Sequence, residues 1–358
     1  MYKEKRNILL TIFLFLQIGA VTLLSYYPEW IDQYYVRGFY PVISGVLRHL
    51  FGWVPFSVGD LIYGMLIIMI GVFLWKIITK KGSRRRLILR FTAGLSIFYF
   101  CFYLFWGLNY SRSPIQKPLG LGDESFDIVK LQEISEKILL KTVLLHKQLS
   151  EHDTLGVEVP YSKGQILSRT AQGYKALGSE FAWLEYEKPS LKKSLFSLPL
   201  TYMGFSGYFN PLSGEAQVDH LIPKVSLPFT CSHEVAHQLG IASESEANFV
   251  GFLASVKNED PYFQYAAYML ALRYALFDIR RYDQALFEGY VERIPSGIIK
   301  NFRETDDFWR GYENPLEPVF KAFYDHYLKF NQQEDGLESY NQIMGLIISY
   351  DKVHGLNI

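Results

Sequence analysis

The chain has 358 residues, enough for one sizeable domain beside a membrane region. Lys plus Arg and Asp plus Glu balance at 36 each, so no global field favours nucleic acid as a partner. Apolar residues reach 49% and aromatics 16%, concentrated towards the N-terminus, and two cysteines, Cys101 and Cys231, do not make a disulfide framework.

The first apolar run, 8–27, is long enough as a helix to cross a hydrocarbon core of about 30 Å. Lys3, Lys5 and Arg6 precede it. No small-x-small cleavage site appears before Pro28, so the run reads as an uncleaved anchor rather than a signal peptide. Segment 28–57, with Tyr34, Tyr35, Phe51, Trp53 and Phe56, reads as an interfacial loop carrying aromatic anchors. The second run is 61–78. Lys80, Lys81, Arg84, Arg85 and Arg86 follow it, and the third run is 87–108, with Arg90 placed to snorkel. The positive-inside rule puts the N-terminus and the basic loop in the cytoplasm, and everything after Asn109 outside. The expectation is a multi-pass protein of the cytoplasmic (inner) membrane, with the lipid bilayer as a partner and an extracytoplasmic domain.

Residues 111–126, with Pro114, Pro118, Gly120 and Gly122, read as a linker. This divides the chain into a membrane region 1–110 and an outer domain 127–358. In that domain apolar spacing predicts helices over 127–149 and 164–177, the second stopped by Gly178. Region 195–218 alternates large apolar residues with Pro199, Gly204, Gly207 and Pro211, and reads as short strands or a hairpin. Helical patterns return near 228–239, 243–257, 261–283, 316–330 and 337–353. The fold class is therefore mainly α (α+β): three N-terminal transmembrane helices, then a mostly helical domain with a small sheet.

Residues 233–237 read His-Glu-Val-Ala-His. Positions four apart share one helix face, so His233 and His237 are placed to bind one zinc ion. Glu234 lies about 100° round the helix. There it reaches a zinc-activated water without being a ligand, the role of a general base. The flanking Leu227, Phe229, Val235, Ala236 and Leu239 suit a buried helix, where unpaired histidines would be costly. A third ligand is needed. Glu244 shares a face with Asn248, Gly251 and Ser255, and is favoured over Glu246, which shares its face with Val250 and Leu253. Asn248 would support a ligating histidine by a hydrogen bond. Gly240 allows the sharp turn that the spacing requires. Cys231 points about 160° away from His233 and reads as packing.

An electrophilic group for the oxyanion is sought among His220, Tyr265, Tyr268 and Tyr340, with Tyr265 placed to face the site. Segment 214–218 reads either as a structural hairpin strand or as an edge strand that would pair with an extended peptide.

The pattern His233-Glu234-x-x-His237 followed by Glu244-x-x-Ala247-Asn248-x-x-Gly251 resembles the gluzincin metallopeptidases. That resemblance implies Glu as ligand; Asn248 stands where those enzymes typically carry Asp. The interval from His237 to Glu244 is closer to metzincin spacing, with Gly240 at the metzincin glycine and Ser243 at the third-histidine position. Over nearly its whole length the chain also resembles an uncharacterised family of bacterial zincin-like membrane proteins, domain of unknown function number 3810. The matching pieces are Trp106-Gly107-Leu108-Asn109-Tyr110, Gly207-Tyr208-Phe209-Asn210-Pro211, Leu227-Pro228-Phe229-Thr230, Glu246-Ala247-Asn248-Phe249 and Tyr327-Leu328-Lys329-x-Asn331. The resemblance implies architecture more than substrate.

The leading expectation is a membrane-anchored zinc metallopeptidase with Zn2+ as cofactor and a peptide or protein as substrate. The alternative is a non-catalytic zinc-binding or scaffolding membrane protein. Three visible ligands and no nearby second cysteine favour an open, catalytic site over a structural one. A transporter ranks last, because the spans carry almost no interior charge.

Overall fold

A computed structural model describes residues 2–79, 83–122, 126–331 and 342–356. The chain divides into two compact units. One comprises Met1–Ser113 with Asn210–Glu215, the other Pro114–Phe209 with Ala216–Ile358.

The first unit holds α1 (Tyr2–Ser25), α2 (Pro28–Trp30), a π-helical stretch (Ile31–Phe39), α3 (Tyr40–Phe51), α4 (Val58–Ile78) and α5 (Arg84–Phe105). Helices α1, α4 and α5 are long and apolar enough to cross a membrane. The apolar window of α4 buries none of its residues against protein. Such an all-round apolar surface calls for lipid. Between α1 and α5, Thr11 pairs with Thr92 at 2.6 Å and the Gln17 amide donates to Ser96 at 3.0 Å. Side-chain bonds of this kind join helices where water is absent.

Segment 28–57 is not a loop. It is largely helical, and it buries Ile31, Tyr35, Tyr40, Ser44, Leu47 and Arg48. That helical spacing was hidden under the aromatic count. Trp30, Tyr34 and Trp53 remain exposed. The Tyr35 hydroxyl donates to the Leu104 carbonyl at 3.1 Å and so satisfies an orphan acceptor at the end of α5. The buried Glu215 carboxylate accepts from the Val58 and Gly59 amides at 3.2 and 2.6 Å and caps α4. Gly59 is required there. A Cβ would sit 2.6 Å from both Asn210 Nδ2 and Ser213 Oγ.

The second unit holds α6 (Gln116–Leu119), α7 (Ile128–Leu149), α8 (Lys163–Glu180), β1 (Leu191–Lys193), α9 (Ser197–Met203), β2 (Gly207–Asn210) and β3 (Glu215–Val218), the two strands passing through the unit boundary. It continues with α10 (Leu227–Gln238), α11 (Glu244–Val256), α12 (Pro261–Tyr282), α13 (Gln284–Glu292), α14 (Ser296–Arg310), α15 (Glu317–Phe330) and α16 (Ile343–His354). The fold is mainly α with a three-stranded sheet in the order β1-β3-β2. Strands β1 and β3 run parallel, with Leu191 opposite Ala216.

The expected linker is partly core. Ile115, Leu119 and Leu121 are buried in the main apolar cluster, because α6 is held against this unit by Glu246. Helix α8 runs past Gly178. A Cβ at Gly178 would meet Glu185 Cα at 2.9 Å, so this glycine serves a close chain approach rather than a stop. Region 195–218 contains α9, ended by Gly204 at φ 78°, as well as the hairpin strands. Helices α13 and α14 carried no sequence expectation.

The core lies around α10, α11, α12 and α7. Val235, Ala236, Ala247, Phe249, Val250, Phe252, Tyr265, Tyr268 and Leu272 are all buried in one cluster. Helices α10 and α11 cross closely because α11 presents Gly251 to the backbone of α10.

Candidate metal centre

Helix α10 carries His233, Glu234 and His237, and every one of its residues is buried. Its C-terminus explains much of the site. Gly240 takes φ 88°, the left-handed region that favours glycine. The Ile241 amide then donates back to Ala236 O at 3.2 Å and the Gly240 amide to His237 O at 2.9 Å. This cap turns the Ile241 carbonyl onto His237 Nδ1 at 2.7 Å. Nδ1–H therefore donates to a carbonyl, which fixes the tautomer and leaves the Nε2 lone pair for the site.

Glu244 opens α11 directly after this turn. Its Oε2 lies 3.3 Å from His233 Nε2 and 3.6 Å from His237 Nε2. One ligand atom from each residue falls within 4.8 Å of the other two. A tetrahedral zinc ion with bonds of about 2.0–2.1 Å sets its ligand atoms about 3.3–3.4 Å apart. The donor set, two imidazole nitrogens and one carboxylate oxygen, fits that ion in chemistry, and its two nitrogen–oxygen distances fit it in spacing. Burial raises the Glu244 carboxyl, but the two histidines outweigh it and hold the group well below the usual carboxylate range. Burial likewise depresses His237, and Glu244 overrides it, lifting the imidazole to about 9. Glu244 is thus anionic, and its charge favours on His237 Nε2 a proton that a bound cation would displace to reach the lone pair.

Glu246 is turned elsewhere. Its Oε1 accepts from the Ile115 amide at 2.8 Å. Ser255 Oγ donates to Ser232 Oγ at 2.8 Å between α11 and α10. The expected bond from Asn248 to a ligating histidine is not made. Asn248 Nδ2 and His233 Nδ1 are both buried without hydrogen-bond partners. Cys231 is fully buried beside Ile166, Val218 and Phe263, and burial pushes its thiol up, as befits a packing residue.

Glu234 is 3% exposed, and its Oε2 has no hydrogen-bond partner. Burial drives its carboxyl up to about 7, against the pull of His233 and His237. A group poised near neutrality suits proton transfer. Its neighbour is Gly207 at the start of β2. A Cβ there would lie 2.4 Å from Glu234 Oε1 and 2.7 Å from Gln217 O. Strand β3, expected as a possible edge, is the central strand and fully buried. It is β2 that forms the edge beside Glu234. Of the two readings of 214–218, the structural strand stands and the edge strand does not, because local alternation does not reveal the neighbour supplied by β1.

The oxyanion candidates scatter. Tyr265 donates to Asn301 Oδ1 at 2.9 Å instead of facing the site. Tyr268 packs edge-on against Phe252, and its hydroxyl has no hydrogen bond. His220 Nδ1 pairs with Ser197 Oγ at 2.6 Å. Tyr340 lies outside the described residues. One other tyrosine bonds Glu244, and a second feels its charge. Tyr324 of α15 donates to Glu244 Oε1 at 2.5 Å. Tyr274 of α12 is half-buried, and burial together with the Glu244 charge pushes its hydroxyl up to about 12. Neither carried a sequence signal of its own among 26 tyrosines, although the motif Tyr327-Leu328-Lys329 pointed to α15.

No curated protein and no solved structure matches this chain. The family model described as a protein of unknown function (DUF3810) matches residues 35–348, and with most of its length covered the chain belongs to that family.

Proposed function

We propose that this chain is a membrane-anchored zinc hydrolase, a peptidase of zincin type, with His233, His237 and Glu244 as metal ligands and Glu234 as general base. The observation that carries the reading is the convergence of two Nε2 atoms on one carboxylate oxygen, at 3.3 and 3.6 Å, with a second buried carboxylate beside them. Zinc, when bound, supplies Lewis-acid polarisation of a carbonyl and acidifies water. The protein's own part falls to named groups. His237 is held in the ligating tautomer by Ile241 O. Glu234 accepts the proton of the attacking water at its carboxylate and passes it to the leaving amine. Three ligands leave room for a substrate atom, which separates a catalytic site from a structural one.

A peptide substrate is supported by β2. β2 stands at one end of the order β1-β3-β2, and an extended peptide adds to such a strand by main-chain hydrogen bonds. Gly207, which opens β2, adjoins Glu234, so a peptide added to this strand would lie close to the base. The proposed topology places this unit outside the cytoplasmic membrane. It rests on Lys3, Lys5 and Arg6 ahead of the first apolar run and on the basic run between the second and third apolar runs.

The test is Glu234→Gln in the full-length protein, assayed on a peptide library with zinc content measured in parallel. Hydrolysis should fall by at least about a hundredfold, the usual contribution of a positioned base, while zinc stays bound. Undiminished hydrolysis by the variant would remove Glu234 from the mechanism.

A further inference from the structure

Glu244 offers two oxygens, and they meet different partners. Oε2 lies 3.3 and 3.6 Å from the two Nε2 atoms. Oε1 accepts a hydrogen bond from the Tyr324 hydroxyl at 2.5 Å. A carboxylate free to turn has a second way to meet a cation, with both oxygens on the ion. That mode fills a coordination position that substrate needs.

Tyr324 is well placed to prevent it. Its ring is set edge-on to Phe205, with centroids 5.1 Å apart, and stacks on Tyr327 at 6.1 Å. Phe205 lies two residues before Gly207, the residue that abuts Glu234. Tyr324 therefore connects α15 to the third ligand and to the strand beside the base. Its phenol is a donor that points at Oε1. A carboxylate oxygen so engaged keeps its partner oxygen aimed, as outer hydrogen bonds commonly do for metal ligands.

We infer that Tyr324 is a positioning residue for Glu244, which by holding Oε1 commits the carboxylate to one-oxygen ligation through Oε2 and keeps a coordination position open. This rests on the proposed zinc site. Tyr324→Phe keeps the ring and its contacts with Phe205 and Tyr327, and removes only the donor. Tyr327→Phe, on the same helix, is the control for packing.

The experiment measures zinc affinity of the full-length protein by competition with a chromogenic chelator, and the visible spectrum of the cobalt-substituted protein, for wild type and both variants. Wild type should bind one zinc ion. Tyr324→Phe should bind about 10–100-fold more weakly, the usual cost of removing an outer hydrogen bond to a ligand. Its cobalt bands should lose intensity as the coordination number rises. Tyr327→Phe should match wild type in both. A Tyr324→Phe protein with wild-type affinity and spectrum overturns the inference while leaving the zinc site standing. Equal weakening in Tyr327→Phe also overturns it, since the loss would then come from α15 packing. Absence of stoichiometric zinc in wild type would sink the underlying site reading itself, a result distinct from both.

Discussion

Gly251→Ala probes the crossing of α10 and α11 that assembles the metal site. The added Cβ would lie 2.9 Å from His233 N, 3.0 Å from His233 Cα and 3.3 Å from Ser232 C. All three atoms are helix backbone, so no flexible side chain can step aside. Restoring ordinary contact requires α10 to retreat by about half an ångström, and overpacking of this kind costs about 1–3 kcal/mol. Alanine also gains about 1 kcal/mol over glycine in a helix interior. The clash wins by about 1 kcal/mol, which for a unit of this size lowers Tm by about 2–4 °C. Gly289 in α13 supplies the opposite case, since a Cβ there meets nothing within 4 Å. Gly289→Ala should raise Tm by a similar amount through helix propensity alone. The assay is thermal unfolding of the solubilised full-length protein at one scan rate. A Gly251→Ala protein as stable as Gly289→Ala would refute the close crossing at His233.

Three further outcomes are expected. Gly207→Ala pushes Glu234 Oε1 from a 2.4 Å contact and should lower peptide hydrolysis about a hundredfold with zinc retained, since displacements near 1 Å cost that much; unchanged turnover would detach β2 from the base. Burial lifts Asp278 to about 6 against Arg281, so the folded chain keeps a proton that the unfolded chain has lost. Stability from this group is full below the ordinary Asp value and falls on the order of 1–2 kcal/mol as pH rises through 6; chemical-denaturation curves of Asp278→Asn should lack that fall, and an identical pH profile would count against it. A reporter fused after Ser111 should be active outside the cytoplasm; activity confined to the cytoplasm would reverse the topology.

The three long apolar helices were legible because length and apolarity suffice to define them, and α4, α5, α7, α10, α11 and α12 began or ended within a few residues of the periodic patterns. The site was legible to the extent that it is local. His233, Glu234 and His237 lie within one helix turn, and Gly240 forces the reversal that brings Glu244 back to them. What depends on distant chain was not. Tyr324 reaches Glu244 across 80 positions, Glu246 turns to Ile115 across 131, and β1 converts β3 from a possible edge to the centre. No spacing rule carries such pairings. Segment 28–57 failed for another reason. Its aromatics suggested anchors, and some are exposed, but the helical period through Ile31, Tyr35 and Tyr40 was the stronger determinant.

The central claim is that His233, His237 and Glu244 hold one metal ion. Elemental analysis of the purified full-length protein tests it directly. About one zinc per chain is expected for wild type, Glu234→Gln and Glu246→Gln, with loss of the metal in His233→Ala, His237→Ala and Glu244→Ala. Zinc retained at full stoichiometry in those three alanine variants, or absent from the folded wild type, would contradict it.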